Sequence, residues 1–137
     1  MRFPIVAALA FSLAMPAAAG EIVRVVDGDT LRIGAERIRL SDIDAPETSQ
    51  AKCRAERRLG ERAKGRMGEL VADGELVIER RGLDRYGRTL ATVTAGGVDV
   101  GAQLVAEGLA RPYEGRRRSW CDQAPAALRK TSTTSSP

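Results

Sequence analysis

Histidine is absent from the 137 residues of this chain. That gap removes nucleophilic triads built on Ser-His or Cys-His pairs, histidine proton shuttles and His-containing zinc sites. Proton transfer falls to carboxylates, lysine, tyrosine, cysteine or water. Aromatic residues make up only 4% of the chain, and both phenylalanines, Phe3 and Phe11, lie near its start. A folded body further along must therefore build an aliphatic core, with Tyr86, Tyr113 and Trp120 as its aromatic residues. Two cysteines cannot complete a zinc site, and they lack the C-x-x-C spacing of a redox pair. The length is too short for two independent cores, while 43% hydrophobic and 29% charged residues fit one globular unit rather than a disordered chain.

The one long apolar run opens the sequence. Arg2 precedes Ile5-Val6-Ala7-Ala8-Leu9-Ala10-Phe11-Ser12-Leu13-Ala14-Met15, and Pro16 and Ala17-Ala18-Ala19 follow. A basic start, a short apolar stretch and small residues at 17 and 19 describe a secretory signal peptide over residues 1–19, cleaved after Ala19. The run is short for a membrane anchor, which is the competing reading. Cleavage would remove Arg2 and no acid, lowering the net charge of +4 by one. Export places the chain outside the cell or in a periplasm, where Cys53 and Cys121 are expected to form a structural disulfide. Closing so long a loop stabilises a fold by roughly 4 kcal/mol in the chain-entropy model.

Secondary-structure patterns follow in a clear order. Residues 21–26 read as a strand, Asp27-Gly28-Asp29 as a turn and residues 30–33 as a second strand, the signature of a hairpin. Residues 36–41 alternate, with Ile38 and Leu40 toward a core and Arg37 and Arg39 away from it. Over residues 54–72, Ala55, Leu59, Ala63, Met67, Leu70 and Val71 recur at helical spacing. Strands are expected over 75–80 and 89–94, joined by a polar loop long for a hairpin, and Asp99 can cap a second helix ending at Gly108. Five short strands in a small antiparallel arrangement with an inserted amphipathic helix suit an α+β, mainly β fold, the five-stranded OB-fold barrel, with one or two C-terminal helices. The domain is set at residues 20–121 and a disordered tail at 122–137.

Three polar clusters punctuate these elements: Asp27-Gly28-Asp29-Thr30, Asp42-Ile43-Asp44-Ala45-Pro46-Glu47 and Asp84-Arg85-Tyr86-Gly87-Arg88. Taken singly, each has a bland explanation: a tight turn, a strand end at Pro46 and a glycine-bearing loop. Taken together, Asp29 and Asp44 offer hard oxygens suited to Ca²⁺, Glu47 can face a water, and Arg39 and Arg88 carry planar forks matched to phosphate. This is equipment for hydrolysing a phosphodiester without histidine. The run Arg111, Arg116, Arg117, Arg118 reads mainly as a solvated surface, with a phosphate track as the alternative.

Over roughly residues 21–121 the sequence resembles the staphylococcal-type thermonuclease family. The likeness rests on Val26-Asp27-Gly28-Asp29-Thr30, on the run from Arg39 to Thr48, on Asp84 to Arg88 and, more weakly, on Gly108-Leu109-Ala110-Arg111. It implies an OB-fold, calcium-dependent nuclease acting on DNA and RNA with little sequence preference and leaving 3′-phosphate ends. Asp29, Asp44 and the carbonyl of Ala45 would hold Ca²⁺, Glu47 would be the general base, and Arg39 and Arg88 would bind phosphate. Ala45 stands where the best-known members have threonine, so the carbonyl is kept and a hydroxyl is lost. Arg85 and Tyr86, and more loosely Tyr113, would touch substrate. Nothing in the pattern demands a partner subunit or stable membrane association, so a monomer is expected. The rival is an OB-fold module that binds nucleic acid without cutting it. Such domains tend to lose the acids and arginines that are all present here.

Overall fold

The computed structural model describes residues 21–122. The expected signal peptide and the tail from residue 123 lie outside the described residues. The elements run β1 (Val23–Asp27), β2 (Thr30–Ile33), β3 (Glu36–Leu40), β4 (Ile43–Asp44), α1 (Arg54–Ala72), β5 (Leu76–Leu83), β6 (Thr89–Ala95), β7 (Val98–Asp99), α2 (Val100–Ala106) and β8 (Arg111–Pro112). The main sheet has the order β1-β2-β3-β6-β5, with β7 paired to β6, and β4 pairs with β8 in a separate two-stranded ladder. This is the mainly β, α+β plan of a partly open OB-type barrel, with α1 inserted between β4 and β5.

Alternation explains the sheet. Leu31 and Ile33 on β2 and Ala91, Val93 and Ala95 on β6 are buried, while the residues between them are more exposed. With no phenylalanine among the described residues, the centre is aliphatic: Leu31, Ile38, Met67, Val93, Val100 and Leu104 are fully buried. Helix α1 contributes Ala63 and Met67 to this core, and Leu59, Leu70 and Val71 pack against it. Asp99 caps α2 as expected, its Oδ1 accepting from the Ala102 amide at 2.9 Å.

Three sequence expectations need correction. The sheet is not wholly antiparallel, because β3 and β6 run parallel with Ile38 opposite Thr89. A helix and two strands lie between them in the chain, and so long a crossover permits either direction while hydrophobic period reports none. Ala55 is exposed, and Glu56 takes the buried position in the first turn of α1. That turn passes over a polar loop instead of the core, so it buries an acceptor for backbone N–H groups. The long loop is in fact short: β5 continues to Leu83 through a bulge between Arg80 and Gly82, leaving a tight turn at Asp84–Gly87.

Glu36 ties three strands together. It accepts from Arg80 of β5 through Nε at 2.9 Å and Nη2 at 2.7 Å, and from Thr89 Oγ1 of β6 at 2.8 Å. The Arg80 hydrogen bonds first, and the Thr89 hydroxyl second, pull its carboxyl down to about 2 from the ordinary 4.5. A depressed acid contributes stability that is fully present above its unfolded pKa and is lost as pH falls through the folded one. Glu36→Gln should therefore lower the melting temperature slightly at pH 7, since Arg80 is half exposed and its charge is screened. The gap to wild type should close as thermal melts are taken from pH 4.5 toward pH 2.

Candidate active site

The polar clusters meet at one end of the barrel, and close packing holds them there. A side chain at Gly28, in the β1–β2 turn, would meet Ala63 Cβ at 2.7 Å and Ala45 Cβ at 2.9 Å, so only glycine lets this turn touch both α1 and the loop after β4. On α1 itself, a Cβ at Gly60 would lie 2.8 Å from the Glu47 carbonyl carbon and 3.0 Å from the Pro46 oxygen. The loop is further fastened by Glu56, which accepts from the amides of Glu47 at 3.3 Å and Lys52 at 2.7 Å. Thr48 Oγ1 donates to Asp27 Oδ1 at 2.6 Å. Glu47 thus rides on backbone clamped by helix and hairpin alike.

Asp44 is the centre of the charge cluster. It is 2% exposed, yet Trp120 Nε1 donates to its Oδ2 at 3.0 Å, Arg117 Nε to its Oδ1 at 2.8 Å and Arg111 Nη2 to its Oδ2 at 3.4 Å. Arg39 Nη2 lies 4.0 Å from the same carboxylate, and Arg39 Nη1 is 2.6 Å from Asp29 Oδ2. Asp29 also accepts from the Ala45 amide at 3.0 Å and from Thr30 Oγ1 at 2.9 Å. Although it touches Asp29, Arg39 Nη1 makes no well-angled hydrogen bond within the described residues. The contact is an ion pair, so the guanidinium stays charged and held against Asp29.

Arg88 approaches from the β5–β6 turn. Asp84 shapes that turn by accepting from the amides of Tyr86 at 2.8 Å and Arg88 at 2.9 Å, and it holds Arg88 Nε at 2.7 Å. Burial pushes the Asp84 carboxyl up, but these Arg88 and Tyr86 bonds together keep it below the usual carboxylate range. The exposed ring of Tyr86 lies 5.0 Å from the Arg85 guanidinium and 5.4 Å from that of Arg88.

A cleft of about 930 Å³ gathers these groups: Asp29, Arg39, Glu47, Arg85, Tyr86, Arg88, Tyr113 and Arg117 all line it. Asp44 and Ala45 lie beneath its floor, both nearly fully buried. Tyr113 stands at the rim, 40% exposed, with its ring centroid 6.0 Å from the Arg39 guanidinium carbon. A separate, more apolar pocket against α2 shares only Ser41 with this cleft. Hard oxygens of the kind a divalent cation takes are present: Asp44 Oδ1 and the Ala45 carbonyl share the Arg117 guanidinium, and Asp29 is joined to Asp44 through Arg39.

A family model described as "Staphylococcal nuclease homologue" matches residues 37–134. The chain belongs to the staphylococcal nuclease family. It is 38% identical to "Micrococcal nuclease" of Shigella flexneri over 80% of this chain and 68% of that one. An "Uncharacterized endonuclease" of Haemophilus influenzae is 35% identical over 68% of this chain and 51% of that protein. "Thermonuclease" of Staphylococcus intermedius is 35% identical over 66% and 56% respectively. The chain thus spans about two thirds of the first and about half of the other two. The family match begins at residue 37, so it is the fold that brings Asp29 to this staphylococcal nuclease cleft.

Four residues of the site were not read as such from the sequence. Arg111 and Arg117, assigned mainly to a solvated surface, contact Asp44, whereas Arg116 is exposed and Arg118 faces Glu114. Trp120 is buried against Asp44 with Arg111 stacked on its ring at 3.9 Å. Glu56 lies off the apolar positions that mark α1 in the sequence, yet it is 5% exposed. The available clue was Cys121: the disulfide with Cys53, Cα atoms 5.9 Å apart, carries the segment after β8 back to the start of α1.

Gly60→Ala should push the Pro46–Glu47 backbone aside, lowering melting temperature and cutting nucleic-acid hydrolysis by tenfold or more on the order expected for a small misplacement. Gly65→Ala in the same helix meets nothing within 4 Å and should instead stabilise by about 0.5–1 kcal/mol through helix propensity. Paired thermal melts and nuclease assays check both.

Proposed function

We propose that the protein is an exported, calcium-dependent nuclease that hydrolyses phosphodiester bonds of DNA and RNA with little sequence preference and leaves 3′-phosphate ends. The observation that carries this reading is the convergence of Asp29, Glu47, Arg39 and Arg88 on one cleft, with Asp44 buried beneath it. The named activities of the relatives support it. Asp29, Asp44 and the Ala45 carbonyl would hold Ca²⁺, whose bound charge would polarise the phosphoryl oxygens and favour attack. Arg39 and Arg88 bind those oxygens and stabilise the charge that grows on them. Glu47 orients a water and takes its proton as the water oxygen bonds to phosphorus; the bond from phosphorus to the 5′ oxygen breaks in line. Tyr86 offers an exposed face for a base, and Arg85 adds charge beside it. Export rests on the signal-like residues 1–19 and on the disulfide, which suits an oxidising compartment.

Plasmid and single-stranded DNA digested with Ca²⁺ or with chelator test the reading, with end analysis of the products. Cutting should require Ca²⁺, and Arg39→Lys or Arg88→Lys should reduce turnover by about 10²–10³-fold with a smaller effect on KM. Equal digestion in chelator sinks the metal assignment; binding without cutting favours a silent OB-fold module.

A further inference from the structure

A positive charge already sits on two of the three oxygen sources assigned above to the divalent cation, the third, Asp29, being paired with Arg39. Arg117 Nε is 2.8 Å from Asp44 Oδ1, its Nη2 is 3.3 Å from the Ala45 carbonyl, and its Nη1 bonds Glu47 Oε1. Three nitrogens of one guanidinium reach three successive parts of the candidate site: a metal acid, the metal carbonyl and the general base. Neighbouring tail arginines do nothing similar, since Arg118 pairs with Glu114 and Arg116 has no acidic partner among the described residues. Asp44 keeps two separate anchors on its other oxygen, Trp120 and Arg111, so releasing Oδ1 does not free the carboxylate.

The seat is also one that can be vacated. The Arg117 side chain is 49% exposed on the cleft side, whereas Arg39 and Arg111, at 10% and 14%, are built into the wall. A guanidinium holds its proton at any ordinary pH, so it leaves this cluster only in exchange for another cation. Asp44 and Glu47 would otherwise face each other with less compensation, and a hard divalent ion satisfies Asp44 and the carbonyl more fully while leaving Glu47 free to face a water.

We propose that Arg117 is a resident counter-ion of the calcium site, occupying it until Ca²⁺ displaces the guanidinium into the cleft. This rests on the metal assignment made under the proposed function. It sets a calcium threshold: the measured affinity is the intrinsic one reduced by the fraction of molecules in which Arg117 is away from the site. It also keeps Glu47 hydrogen-bonded to Arg117, and unable to take a proton from water, while calcium is scarce.

The test is a calorimetric CaCl₂ titration of the disulfide-intact chain without nucleic acid, in wild type, Arg117→Gln and Arg118→Gln. Arg118→Gln removes the same charge from the same segment without touching the donor set. Arg117→Gln should bind one Ca²⁺ about tenfold or more tightly than wild type, with Arg118→Gln within about twofold. In melts, Arg117→Gln should be the less stable without calcium and gain more from it. Equal affinity in wild type and Arg117→Gln, or equal tightening in both variants, overturns the proposal and leaves the metal reading standing. No calcium binding in any of the three overturns both. Should Arg117→Gln not fold, Arg117→Lys takes its place, because an ammonium cannot bridge three acceptors in this fork; it too must tighten calcium binding more than Arg118→Gln does, and failure to do so counts against the proposal.

Discussion

A carboxylate removed from water governs this structure. Stripping Asp44 of solvent carries a penalty of several kcal/mol, which only close cations and hydrogen-bond donors can offset. Its donors come from the distant tail and from β8, with the Arg39 charge of β3 4.0 Å away. Asp44 pairs with Arg111 through the β4–β8 ladder, and the tail supplies Trp120 and Arg117. Among the described residues, those after Pro112 form no helix or strand of their own. Their place is set by what Asp44 requires and by the covalent link at Cys121.

Around that charge, clearance matters as much as attraction. Gly28 and Gly60 bring the first hairpin, the loop after β4 and α1 closer than any side chain would allow. Glu56 then satisfies backbone amides that the loop would otherwise leave without partners. The result is a Glu47 whose backbone is fixed by helix and hairpin and whose carboxylate meets Arg117 at the cleft.

Much of the fold was legible because strand alternation and helix period are local properties. β2, β3, β6 and the body of α1 fall where the pattern places them, and Asp99 caps α2. The parallel pairing of β3 with β6 was not legible, since direction is decided by a long crossover. Among site residues, those on hairpins and strand ends carried recognisable turn chemistry: Asp29 beside a glycine, Glu47 after Pro46, Arg88 after Gly87. Arg117 and Trp120 carried none. Their relation to Asp44 spans more than seventy residues and exists only after folding, so a run of arginines looked like ordinary surface. Glu56 was hidden for the opposite reason, because helical period assigns burial to apolar positions and here a polar one was buried.

The link between Cys53 and Cys121 bears on how the cleft can exchange its contents. It closes the chain into a ring, tying the wall that holds Trp120 and Arg117 to the foot of the helix that clamps Glu47. Two walls fastened in this way cannot swing apart like a jaw. On that side of the cleft, change is left to side chains such as the half-exposed Arg117, whereas the β5–β6 turn with Arg85, Tyr86 and Arg88 stands outside the tie.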